Sequence, residues 1–157
     1  MSYNRPTKAE LGDVSGRYAI LVGRWNTEVV ENLKAGALKA LAQYNIDDAN
    51  IDILYVPGAF EIPLAAKQVA LTKKYVGIIC VGAVIRGGTP HFEYVAGECS
   101  RGLSQVALDH QLPVGFGVLT VDNMAQALER SGDNDANKGV EAALAVMEMV
   151  AFAKRIS

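Results

Sequence analysis

Cysteine, histidine and tryptophan are scarce in this chain: its 157 residues hold two, two and one of them. Cys80 and Cys99 alone make no disulfide framework of the kind that staples small secreted domains, and they read as reduced thiols of a cytoplasmic protein. His91 and His110, with two distant cysteines, do not make a zinc site, so no metal is expected. Charge of one sign is lacking as well. Fifteen Lys+Arg against seventeen Asp+Glu leave a formal charge of -2, with no basic excess to neutralise a nucleic-acid backbone. The longest nearly unbroken apolar run, Val76–Ile85, falls far short of the ~18 residues of a membrane span. Met1–Ser15 is polar and mixed in charge, without the apolar stretch of a signal peptide.

What is present is the balance of a globular domain, half apolar and one fifth charged. The length fits a single domain: an arm over 1–16 carrying Pro6 and Gly12, then one unit over 17–157. Arg17–Gly23, Ile51–Val56, Tyr75–Val81 and Val114–Val121 read as strands that are apolar along their length. Between them lie helical patterns. One is capped by Asn26 or Thr27 and presents Val30, Leu33, Ala37, Leu41 and Tyr44 on one face. Others run over Pro63–Lys73 and Phe92–His110, then from a cap at Asp122 to Ser131, and over Asn137–Arg155. Strands apolar on both faces, alternating with helices, predict a three-layer α/β/α sandwich with a doubly wound, four-stranded parallel sheet. Ligands of such sheets sit beyond the carboxyl ends of the strands, here Arg24–Asn26, Pro57–Ile62, Gly82–His91 and Thr120–Val121.

The motifs at those ends divide into rejections and candidates. Gly82–Thr89 imitates a phosphate-binding P-loop, but Gly88 stands where the lysine is needed. Gly115–Gly117 lacks the third glycine of a dinucleotide fingerprint, and no Pro-Cys-x-x-Cys follows His91–Glu93 to complete a zinc-deaminase pattern. Gly87, Gly88 and Thr89 fit either a tight turn or a backbone nest for an anion. His91 opens a helix beside that turn, where a neutral imidazole can move protons. Glu61 reads either as a first-turn glutamate or as an acceptor for hydroxyl groups. Trp25 reads either as core or as a stacking surface for a planar ligand. Arg130 by itself is a solvated or dipole-complementing charge.

Taken together, Arg24-Trp25-Asn26, Pro57-Gly58-Ala59-Phe60-Glu61-Ile62-Pro63, the run Gly82–Val95 (GAVIRGGTPHFEYV), Phe116–Thr120 (FGVLT) and Asn137-Lys138-Gly139 closely resemble the 6,7-dimethyl-8-ribityllumazine synthase family. The resemblance runs from about Arg17 to the carboxyl end, in the family's order and spacing. It implies a flavodoxin-like fold and a transferase of riboflavin biosynthesis that uses no cofactor. It also implies the reaction, a condensation of 5-amino-6-(D-ribitylamino)uracil with 3,4-dihydroxy-2-butanone 4-phosphate. Residue by residue, it implies that Trp25 stacks on the pyrimidine beside Asn26. The ribityl chain falls to Ala59, Phe60 and Glu61, and the ring edge to main-chain groups of Ala83, Val84 and Ile85. Phe116 becomes a pocket wall supplied by the neighbouring subunit, Gly88, Thr89 and Arg130 the phosphate site, and His91 the proton donor. A riboflavin- or lumazine-binding module without turnover is the competing reading, because a pocket for the product also accepts a flavin.

The sequence departs from the family pattern in two places. Pro90 precedes the histidine where relatives often carry a small or hydroxylated residue, which stiffens the loop. Ser131–Ala136 lacks the basic residue and second glycine common in shell-forming relatives and carries Asp133 and Asp135. Since Phe116 and Arg130 are expected to complete an adjacent subunit's pocket, the resemblance implies a pentameric ring, free or built into a sixty-subunit shell. The acidic loop, together with Pro6 in an arm that would otherwise add as a strand, favours the free ring. Light scattering coupled to size exclusion is expected to give the mass of five chains. A particle on the megadalton scale refutes the free ring, and an active monomer refutes shared sites.

Overall fold

The computed structural model describes residues 5–157; the first four residues of the expected arm lie outside them. The elements run α1 (Lys8–Leu11), β1 (Tyr18–Gly23), α2 (Thr27–Gln43), β2 (Ile51–Val56), α3 (Ile62–Leu71), β3 (Gly77–Ile85), α4 (His91–His110), β4 (Val114–Val121), α5 (Met124–Glu129) and α6 (Lys138–Ile156). All pairings are parallel, in the order β2-β1-β3-β4. The expected doubly wound α/β sandwich is therefore present.

Every residue of β1 is buried, and the strand's period of two divides the core into layers. Ile20, Val22, Ile79 and Val81 pack with α2 and α6; Ala19, Leu21, Ile78 and Cys80 pack with α3 and α4. β2 departs from the expectation of cover on both faces. As an edge strand it leaves Ile53, Leu54 and Tyr55 37%, 38% and 48% exposed. Residues before β1 dock against the end of α6. Leu11 and Val14 are buried, Arg155 donates to the Leu11 carbonyl at 3.3 Å, and Lys154 donates to that of Ser15 at 2.6 Å. No described helix is long and apolar enough to cross a membrane.

Three local expectations need correction. β3 does not stop at Val81 but continues to Ile85, because β4 pairs with it over that whole length, Ile85 lying opposite Val121. α5 is capped by Asn123 rather than Asp122, the Asn123 side chain accepting from the Gln126 N–H at 2.9 Å. Asn26 stands at the N-cap position of α2 without capping it. Its φ of 65° is left-handed, a region asparagine tolerates; its backbone carbonyl accepts the Val30 N–H at 3.1 Å, but neither its side chain nor that of Thr27 accepts a bond from the helix.

The closest helix contact is made by two glycines and an asparagine. A Cβ on Gly139 would overlap the Leu33 carbonyl oxygen of α2, and one on Gly36 would overlap the Asn137 side chain. Asn137, only 2% exposed, fills its hydrogen-bonding capacity there. Its amide donates to the carbonyls of Asn32 (3.2 Å) and Gly132 (2.9 Å), and its oxygen accepts from the N–H groups of Gly139 (2.8 Å) and Val140 (3.2 Å). Asn137→Ala is expected to cost about 2–3 kcal/mol through the lost cap and stranded carbonyls, and Gly139→Ala a similar amount through overpacking. Urea denaturation measures both; a shift of only a few tenths in either shows that α2 and α6 do not depend on this contact.

Candidate active site

The sheet places its crevice between β1 and β3. From β1 the chain moves outward to β2, and from β3 it moves the other way to β4, so the loops after these neighbouring strands diverge. This is the switch point at which doubly wound sheets bind ligands. Length sharpens the crevice. β1 pairs with β3 only as far as Val22–Val81, while β3 runs on to Ile85. The Arg86 N–H donates to the Val121 carbonyl on the β4 side, so alternation turns the backbone of Ala83 and Ile85 toward β1. Asn26 Nδ2 reaches the Ala83 carbonyl at 3.4 Å; opposite Ile85 no strand remains.

The loops after β1 and β2 are tied together. The N–H groups of Arg24 and Trp25 donate to the carbonyls of Val56 (3.0 Å) and Pro57 (3.2 Å), prolonging the strand pairing. The Trp25 ring packs against Gly58, where a Cβ would overlap ring atoms, yet the residue remains 61% exposed. The indole is thus backed by main chain and open on its other side, so the core reading of Trp25 is not the one realised. A 3-10 turn over Ala59–Glu61 follows, with Ala59 buried and Phe60 56% exposed. Glu61 Oε1 is buried and has no hydrogen-bond partner among the described residues. Buried carboxylate oxygens are normally satisfied, so this one has capacity for a donor such as a water or ligand hydroxyl.

After β3 the chain runs through Gly87 and Gly88. Neither has a positive φ, and a Cβ on either would meet nothing within 4 Å. Chain geometry therefore does not require glycine there, and the bare backbone fronts open space. Thr89 Oγ1 accepts the His91 N–H at 3.4 Å, steadying the start of α4 where Pro90 has no N–H to give. His91 is exposed at the first position of that 20-residue helix.

Phe116 and Arg130 stand apart from this crevice. They line a separate cavity of about 440 Å³ on the flank formed by edge strand β4 and α6. Phe116 faces outward, 43% exposed. Arg130 donates to the Gln126 carbonyl at 3.0 Å at the end of α5, the dipole-complementing role, with Glu129 at 3.4 Å. The cavity also holds Lys138, a cation the sequence reading did not single out; it pairs with Glu141 at 3.1 Å. The signal was available, because Lys138 sits inside the quoted Asn137-Lys138-Gly139 motif. Cys80 and Cys99 are buried, and burial raises the Cys99 thiol to about 12, so neither is poised as a nucleophile.

At the carboxyl ends of the strands the chain offers an aromatic platform, an open strand edge, a carboxylate oxygen without a partner among the described residues, a bare glycine loop and an imidazole. Comparison with known families adds a match over residues 15–154 to the family model of 6,7-dimethyl-8-ribityllumazine synthase. That span includes the crevice and the Phe116–Arg130 flank together, and its setting is riboflavin biosynthesis with a transferase role. The chain belongs to the 6,7-dimethyl-8-ribityllumazine synthase family.

Proposed function

We propose that this chain condenses 5-amino-6-(D-ribitylamino)uracil with 3,4-dihydroxy-2-butanone 4-phosphate to 6,7-dimethyl-8-ribityllumazine, releasing phosphate and water. The observation that carries this reading is the Glu61 carboxylate oxygen, buried and unpartnered one turn from the Trp25 platform. A ligand that joins a flat ring to a polyhydroxyl chain supplies a face for the indole and an O–H for that oxygen. The edge of the ring meets the β3 main chain at Ala83, Val84 and Ile85, of which Ile85 has its β1 side open. Asn26 lies beside the ring, and Ala59 and Phe60 flank the ribityl chain. No metal or organic cofactor is called for, since an amine attacks a ketone, phosphate leaves and the second ring closes.

Phosphate binds at Gly88 and Thr89 with Arg130 as its cation, and His91 donates and accepts protons as the amine adds and water leaves. Holding two activated reactants in register supplies most of the acceleration, and the imidazole adds on the order of 10²–10⁴-fold. Because Phe116 and Arg130 lie on the β4 flank and not in the crevice, the complete site joins the crevice of one subunit to the flank of the next. That sharing calls for a closed ring, and the family resemblance makes it a ring of five. Lys39 pairs with Asp133 at 3.2 Å and offsets part of the charge in that loop, which weakens the bias toward a free ring.

Phosphate release with both substrates tests the reaction; a binder without turnover takes up product or flavin and releases none. Trp25→Ala is expected to raise KM for the pyrimidine roughly fivefold or more, by the loss of stacking, while Trp25→Phe stays near the parent. An unchanged KM in Trp25→Ala refutes the platform. Arg130→Ala is expected to weaken the butanone phosphate by about 1.5–3 kcal/mol, whereas His91→Ala lowers kcat and leaves both KM values nearly intact. The reverse pattern exchanges the two roles.

A further inference from the structure

We propose that Arg86 is a positioning residue: its guanidinium locks the first turn of α4, and with it His91, onto the end of β4. The inference rests on the reading of His91 as the proton donor. Arg86 is the first residue past β3. Its backbone N–H donates to the Val121 carbonyl at 2.9 Å, and its Nε donates to Asp122 Oδ1 at 3.0 Å. Its Nη1 reaches the other way, to Glu93 Oε1 in the first turn of α4, and its Cζ stacks 4.3 Å from the centroid of the buried Phe92 ring. Asp122 is itself held from α5, its N–H donating to Gln126 Oε1 at 2.7 Å. One planar side chain therefore grips the two residues that follow His91 and anchors them to a fixed strand end.

The need for such a grip comes from the loop it spans. Nothing packs where a Cβ would stand on Gly87 or Gly88, and Pro90 offers the turn no donor. Locally, the start of α4 is held by two bonds, the long Thr89–His91 bond and the Glu93 N–H donating to the Pro90 carbonyl at 2.9 Å, neither of which ties it to the sheet. Individually, ion pairs as exposed as these add little to stability. Their geometric effect is larger, because a fork meeting two carboxylates over an aromatic face fixes direction as well as distance. The same pairing argues against Arg86 as a phosphate ligand: two carboxylates already answer its single charge.

The test compares Arg86→Ala, Arg86→Lys, the double variant Glu93→Gln with Asp122→Asn, and the triple variant that adds Arg86→Ala, all in the full assembled protein. Arg86→Ala is expected to lower kcat 10- to 100-fold, the order of loss that follows displacement of a positioned group, with the KM of the butanone phosphate changed far less. The double carboxylate variant is expected to reproduce this loss, and the triple variant to fall no further. Arg86→Lys keeps the charge without the fork or the stack and recovers only part of kcat. Hydrogen-exchange mass spectrometry is expected to show faster exchange at residues 87–95 in Arg86→Ala and in the double variant, with the rest of the chain unchanged. A raised KM for the phosphate substrate at constant kcat, additive losses, or unchanged exchange at residues 87–95 overturns the proposal. If the parent protein itself releases no phosphate, the reaction reading fails instead, and the exchange measurement alone decides whether Arg86 holds the turn.

Discussion

The site depends on a mismatch in strand length. β3 spans nine residues and β1 six, and β4 stays paired with β3 to its end. The excess is a ledge of backbone rigid on one side and vacant on the other. A free strand edge is costly to leave unpaired in a sheet interior, and useful only where a ligand can replace the missing strand. The flanking loops are arranged around that vacancy. Asn26, in a left-handed conformation that ordinary residues avoid, turns its amide toward Ala83, and Trp25 lies back on Gly58 rather than folding over the ledge.

Rigidity at the ledge is supplied from below. β1 is fully buried, and the α2–α6 contact clamps one helical layer through close backbone approach at Gly36 and Gly139 as well as through shared core side chains. Asn137 does there what two separate caps would otherwise do, satisfying a carbonyl of α2 and one of the α5–α6 loop while starting α6. Exposed apolar side chains occur at both edges of the sheet, Ile53, Leu54 and Tyr55 on β2 and Phe116 on β4, as well as on the crevice loops and outer helix faces. The chain concentrates precision in its centre and leaves its edges for company.

Much of this was legible from residues alone, and the failures have a common cause. Buried strands and long amphipathic helices carry many redundant signals, so β1, β4, α4 and α6 lie close to their expected places. Glycine carries different tasks under one letter. Gly82 opens the stretch expected to follow the third strand, yet it lies within β3, where a Cβ would come within 3.3 Å of Ile62 Cδ1; the residue serves packing, not a turn. Asparagine and aspartate are similarly ambiguous, since Asn26 declines a cap that its position invites and Asn123 takes one expected of Asp122. Arg130 illustrates the deeper limit. Its neighbours in sequence support only a helix-end charge, and the phosphate role proposed for it rests on the family resemblance and calls on a second subunit. Lys138 was overlooked because a charged first-turn residue is unremarkable until its cavity is seen.

Trp25 has an optical consequence. It is the chain's sole tryptophan, so indole emission from the whole protein originates at one face of the crevice. The ring rests on Gly58 and is open on its other side, which makes its excited state sensitive to whatever arrives there. A planar ligand entering the crevice would quench or shift that emission without any label, while events in the core would leave it nearly silent. The residue that offers the stacking surface is also a built-in gauge of its occupancy, readable in stopped flow before any bond has formed.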